Sequence, residues 1–81
     1  MKIPRNIAGS ELAKLLKKYG YDQTRQTGSH LRLTTYLNGE HHTTIPNHKP
    51  LKVGTLGSIL SDVAEHLEKS KQELIDELFR S

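Results

Sequence analysis

The sequence predicts an α+β fold with the element order α-β-β-β-α and an added C-terminal helix. Three stretches carry apolar residues at helical spacing, residues 30–37 alternate at period two, and Asn38-Gly39 is a strong hairpin signal. A three-stranded antiparallel sheet with helices on one face leaves its other face to solvent, and function is to be sought there. The 81 residues are enough for a single domain spanning 1–81. Only 33% of them are apolar, with four aromatics and no Trp, so the core is aliphatic and a large enclosed active site is excluded. Cysteine is absent, which excludes disulfides, Cys-based zinc sites and thiol chemistry and fits a reducing compartment. No apolar run is long enough for a signal-peptide core or a bilayer span, so a soluble, cytoplasmic protein with no membrane partner is expected.

The first helix is read from Leu12, Leu15, Leu16 and Tyr19, with Ser10 as N-cap, Glu11 in the first turn and Gly20 as the left-handed residue that ends it. Tyr21 to Gln26 is polar and extended and reads as an edge strand, which Gly28 ends. In the next strand Leu31, Leu33 and Leu37 point to one face and His30, Arg32, Thr34 and Tyr36 to the other. Two registers compete for the hairpin. A two-residue Asn-Gly turn pairs Leu37 with Glu40 and puts Ile45 on the face of Arg32. A three-residue loop with Gly39 at a bulge pairs Leu37 with His41 and Leu33 with Ile45, and it is preferred because the aliphatic side chains then share a face. It also sets His42 and Thr44 on the His30 face.

Pro46 and Pro50 bracket a loop, and a second helix follows from Gly54 or Thr55, with Thr55 as cap and Leu56, Ile59, Leu60 and Val63 on its inner face. Ser70-Lys71-Gln72-Glu73 has the form of a capping box. It opens a third helix, with Leu74, Ile75, Leu78 and Phe79 packing on the core through the C-terminus; a continuation of the second helix with a kink near His66–Ser70 is the other possibility.

Charge is unevenly distributed. The net charge is +3, but residues 1–53 hold nine Lys and Arg against three Asp and Glu, and residues 54–81 hold three against six. A basic face suited to a polyanion is the functional reading, and ordinary variation in helix surface charge is the bland one. Within the basic part, His30 follows Gly28-Ser29, and the preferred register sets it opposite His48. Two imidazoles beside cations are the arrangement that cleaves RNA without a metal: one takes the proton of the 2′-hydroxyl, the other protonates the leaving 5′-oxygen, and Lys or Arg stabilises charge on phosphorus. Gly28 would let a phosphate approach the backbone. Arg25, Arg32, Lys49 and Lys52 are candidate phosphate contacts, with the hydroxyls of Ser29, Thr34 and Thr44, and Tyr36 is a candidate base-stacking platform. His41, His42 and His48 do not make a metal site, since adjacent strand residues point to opposite faces and no carboxylate stands at ligand spacing. Neither metal nor cofactor is expected, and His66, between Glu65 and Glu68, reads as solvated helix surface.

Three motifs together carry a family likeness: Gly28-Ser29-His30 entering a strand, Thr44-Ile45-Pro46-Asn47-His48-Lys49, and Leu51-Lys52-Val53-Gly54-Thr55-Leu56 leading to Ile59-Leu60. In this order and spacing, over about residues 10–65, the chain resembles the HicA toxins of toxin–antitoxin modules. The resemblance implies a fold similar to the double-stranded-RNA-binding domain, mRNA interferase activity, and a HicB-type antitoxin covering the His30 face. It implies that His30 is the essential histidine, with Gly28 and Ser29 in the same motif. His48 matches a His common after the family's Pro, and its catalytic part is inferred from the residues alone. The chain departs from the family in its longer charged segment after Val63, and in Thr27, which stands where a basic residue is frequent. The alternative to an endoribonuclease is a non-catalytic RNA-binding module using the same sheet surface.

Overall fold

The structure, a computed structural model, describes residues 6–79. Residues 1–5 and 80–81 lie outside the described residues, and with them Lys2, Arg5 and Arg80 of the charge count and the expected run of the last helix through residue 81. The elements are α1 (Gly9–Leu16), prolonged by a 3-10 turn (Lys17–Tyr19), β1 (Asp22–Thr27), β2 (His30–Thr35), β3 (His41–Pro46), α2 (Val53–His66) and α3 (Lys71–Phe79). The strands form one antiparallel sheet in the order β1-β2-β3. The α-β-β-β-α layout with an extra helix is thus the one predicted. β1 is exposed along its whole length, as an edge strand of that polarity should be.

Alternation along the central strand sets the layers. Leu31, Leu33, Thr35, Thr43 and Ile45 are buried together with Leu12 and Leu16 of α1 and Leu56, Leu60 and Val63 of α2. Each fully buried aliphatic side chain contributes about 1.5–3 kcal/mol, so this shared face holds the sheet against the helices. On the opposite face His30, Arg32, His42 and Thr44 are exposed.

The hairpin register differs from the expected one. Leu31 pairs with Ile45, Leu33 with Thr43 and Thr35 with His41, a shift of two residues that leaves a five-residue loop, Tyr36 to Glu40. Leu37 therefore lies beyond β2 and is 53% exposed, not part of the core face. The core position expected for it is taken by Thr35, which is fully buried. Its hydroxyl donates to the Tyr19 carbonyl at 2.7 Å and accepts from the Leu37 amide at 3.1 Å. A satisfied hydroxyl can occupy a core position that an unsatisfied one could not.

Helix boundaries also depart from the local signals. α1 begins at Gly9 with Ala8 as N-cap, so Ser10 lies within the first turn and is no cap. The orphan donors there are met from elsewhere: Gly9 N–H donates to the His48 carbonyl at 3.0 Å, and Ala8 N–H to Glu11 Oε1 at 2.9 Å. Gly9 is sterically required, because a Cβ at that position would stand 2.0 Å from the Pro46 carbonyl oxygen. Gly20 ends the first helical segment at φ 80°, as expected. α2 begins at Val53 with Lys52 as N-cap, which places Thr55 inside its first turn and not at the cap. α2 does not run on into α3 through a kink. Glu68, at φ 57°, turns the chain while Lys69 N–H reaches the Ala64 carbonyl at 3.0 Å and Glu68 N–H the Glu65 carbonyl at 3.2 Å, the double closure of a Schellman end. Ser70 then caps α3 reciprocally with Glu73, each bond 3.0 Å.

Leu74, Ile75 and Leu78 of α3 are buried in the core, as predicted. Glu77 ties the helix down: its carboxylate accepts from the Tyr19 hydroxyl and lies 3.0 Å from Lys69 Nζ, and its carbonyl accepts from Lys18 Nζ at 3.1 Å. The Tyr19 hydrogen bond, and then Lys69, hold the Glu77 carboxyl below the usual range, while burial and the same hydrogen bond push the Tyr19 phenol up.

Ala is the better helix former, yet Gly9→Ala should lower stability by about 1–3 kcal/mol in urea unfolding, the scale of overpacking; an unchanged or raised midpoint would contradict the close approach. Because its folded pKa is depressed, Glu77 contributes stability that is present above the unfolded carboxylate pKa and is lost as pH falls through the folded value. Glu77→Gln should therefore be less stable than the parent at pH 7 and lose less on acidification below about pH 5.

Candidate active site

The candidate site lies where β2 begins. Thr27 pairs with His30, so Gly28-Ser29 is a two-residue hairpin loop, and Gly28 takes φ 57° at its first position. Nothing stands within 4 Å of where a Gly28 Cβ would be; backbone conformation, not crowding, calls for glycine here.

His30 is paired with Pro46, not with His48, because of the register shift. The two histidines nonetheless line one cleft, through the loop that follows β3. Asn47 N–H donates to the Ser29 carbonyl at 2.6 Å, fixing that loop to the β1–β2 turn. The His48 carbonyl accepts from Gly9, and Leu51 N–H donates to the Ile7 carbonyl at 2.8 Å. So held, the chain forms a cleft of about 210 Å³ lined by Ser29, His30, Pro46, His48, Leu51, Lys52 and Thr55. Two imidazoles, one ammonium and two hydroxyls on an apolar floor can bind a phosphodiester and move protons to and from its oxygens. Thr55, the expected helix cap, instead lines this cleft from the first turn of α2. A hollow of about 330 Å³ between α1 and β1, lined by Ser10, Lys14, Lys17, Asp22, Gln23 and Leu33 among others, holds no imidazole.

The other candidates are spread over the sheet. Arg25 and Arg32 are paired across β1 and β2, both exposed, with Thr44 beyond Arg32 on β3. Lys49 is exposed in the loop but does not line the cleft. Tyr36 is 73% exposed just past the far end of β2. A six-residue strand spans about 20 Å, so Tyr36 does not share the cleft with His30.

The remaining histidines form contacts that no local pattern announced. On the open face His42 Nδ1 lies 2.8 Å from Thr34 Oγ1 and its Nε2 2.7 Å from Glu40 Oε2. On the helix side His41 Nδ1 is hydrogen-bonded to the Tyr21 hydroxyl at 2.7 Å, and its Nε2 faces Asp62 Oδ2 at 3.3 Å. Burial, and then the Asp62 charge, push the Tyr21 phenol up to about 12. His66 is not free helix surface. Its ring stacks on His41 at 4.4 Å, and Nε2–H is shared by the carbonyls of Leu37 at 2.9 Å and Gly39 at 3.1 Å. Asn38 Nδ2 completes the join by donating to the His66 carbonyl at 2.8 Å. These bonds dock the hairpin loop on the end of α2.

Fold and site together define a small α+β protein with an open polar sheet and an imidazole-lined cleft at one end of it. A family model described as the HicA toxin of bacterial toxin–antitoxin systems matches residues 9–64, and the chain belongs to that family. The match starts at the first residue of α1 and stops within α2, so α3 lies beyond it. Membership implies a toxin role and an antitoxin as partner. Comparisons with curated proteins and with solved structures found no match. No helix among the described residues is long and apolar enough to cross a membrane.

Tyr21→Phe tests the cluster outside the cleft. It leaves His41 Nδ1 without its hydrogen-bond partner and should cost about 1–3 kcal/mol in urea unfolding, with unaltered activity of the folded protein. Full stability in that variant would show the bond to be without consequence.

Proposed function

We propose that this HicA-family chain is an endoribonuclease that cleaves single-stranded mRNA, with His30 and His48 as its acid–base pair and a HicB-type antitoxin as its inhibitor. The observation that carries the proposal is the cleft that holds His30, His48 and Lys52 together in a chain of this family. One neutral imidazole takes the proton from a 2′-hydroxyl, and that oxygen attacks the adjacent phosphorus. The other, protonated, gives its proton to the departing 5′-oxygen, leaving a 2′,3′-cyclic phosphate on one fragment and a 5′-hydroxyl on the other. Lys52 stabilises the charge that builds on the phosphoryl oxygens, and Ser29 and Thr55 offer hydroxyls to them. Imidazole and ammonium supply every step, so activity should persist in EDTA.

The cleft is open, which suits an extended strand of RNA and leaves its mouth accessible to a covering protein. An antitoxin that buries the His30 face would block substrate by occupation alone. The proposal takes the chain as one domain acting in the cytoplasm.

His30→Ala should abolish growth arrest and cleavage while the protein still folds and binds its antitoxin; a fully toxic His30→Ala variant would refute the assignment. His48→Ala should lower cleavage about 10²-fold or more and turn a bell-shaped pH–rate profile into a single limb. Undiminished cleavage by that variant would leave a mechanism with one histidine. Retention of single-stranded RNA in EDTA without any cleavage would favour the binding module.

A further inference from the structure

β1 is not a regular strand. Asp22 pairs with Thr34 and Gln23 with Leu33, but Arg25 pairs with Arg32, so Thr24 is an extra residue, a β-bulge. Its hydroxyl lies 3.0 Å from Thr34 Oγ1 and donates to the Arg32 carbonyl at 3.4 Å. The bulge changes which way Arg25 points. Continued without it, the pairing of Asp22 and Gln23 would set Arg25 opposite Leu31, on the face that packs under the helices. With it, Arg25 joins Arg32 on the open face.

Two like charges directly opposite on adjacent strands repel. No ion pair or hydrogen bond engages either guanidinium among the described residues, and Asp22, one row away on the same face, pairs with neither. An anion held between the two guanidinium groups would relieve that repulsion. The row Thr27–His30–Pro46 lies next to the row Arg25–Arg32–Thr44 on the same face. Rows two residues apart are about 6.6 Å apart along the strand, a spacing comparable to that of successive phosphates in an extended single strand. Guanidinium forks match phosphate oxygens, and a pair of them can grip one phosphate from two sides.

We propose that Arg25 and Arg32 form a clamp for the phosphate adjacent to the one held at His30, and that the Thr24 bulge exists to assemble it. This rests on the RNA-cleaving reading and assigns a substrate subsite within it: RNA runs along the strands of the open face, not across them.

The test uses the full chain and a single-stranded oligonucleotide that is 2′-O-methylated throughout, which cannot undergo 2′-hydroxyl attack, so binding is read apart from cleavage. Arg25→Ala/Arg32→Ala should weaken binding at least about tenfold and reduce the slope of log affinity against log salt by about 0.7, the value for one phosphate of a single strand. Deleting Thr24 should give the same loss with both arginines still present. A neutral methylphosphonate at the phosphate next to the scissile position should weaken binding by the parent protein, yet have no further effect on the double arginine variant. Full affinity and slope in that variant, or equal sensitivity of both proteins to the methylphosphonate, would overturn the clamp, as would failure of the parent to bind the oligonucleotide. Binding with the expected arginine dependence but no cleavage of unmodified RNA would sustain the clamp and refute the nuclease.

Discussion

The carbonyl of Pro46 occupies the space in which a side chain on Gly9 would lie, and the candidate site depends on that contact. Because α1 can come so close to the end of β3, its first N–H reaches the His48 carbonyl, and Ile7 reaches Leu51. The loop from Asn47 to Lys52 is thereby fixed to α1 on one side and, through Ser29, to the β1–β2 turn on the other. The same loop leads into α2, whose first turn adds Thr55 to the cleft. Helix start, loop and hairpin turn thus converge on one point, and backbone hydrogen bonds rather than side-chain packing present His48 to the cleft that His30 enters from β2.

The scarcity of apolar residues bears on the chemistry. A chain with so few apolar residues commits nearly all of its sheet's inner face to the core, and only the outer face and its end remain for a ligand. The basic surplus of the first 53 residues lies largely on α1, the sheet and the β3–α2 loop, while the acidic segment forms α2 and α3. Part of that acidity is structural: Glu77, Glu73 and Asp62 are engaged with Tyr19, Ser70 and His41. Under the proposed mechanism the open end of the sheet takes RNA, and an antitoxin covers it.

The parts of the fold legible in the sequence are those set by short-range pattern. Period-two alternation located β2 and its two faces, the Ser70–Glu73 spacing opened α3, and the helical repeat of Leu56, Ile59, Leu60 and Val63 placed the inner side of α2. The hairpin register was not legible. A shift of two residues preserves which side chains share a face, so burial of Leu and Ile cannot tell the two pairings apart. In the observed register the buried Thr35 hydroxyl is bonded to the Tyr19 carbonyl, sixteen residues away. The N-termini of α1 and α2 are not legible for a related reason: Ser10 and Thr55 have capping chemistry, but the donors at α1 are met by the His48 carbonyl and by the Glu11 carboxylate. His66 looked solvated because its partners, His41 and the carbonyls of Leu37 and Gly39, are far off in the chain. The expected pairing of His30 with His48 depends on a register that does not hold, yet the loop brings both to one cleft by a different route.

Analysis of the RNA ends tests the central claim most directly. Purified protein is incubated in EDTA with a single-stranded RNA and with the same RNA carrying one 2′-deoxy residue at the cleaved position. Attack by the 2′-hydroxyl under imidazole catalysis predicts 2′,3′-cyclic phosphate and 5′-hydroxyl ends from the first and an intact bond in the second. Ends bearing a 5′-phosphate, or cleavage at the 2′-deoxy residue, would contradict it.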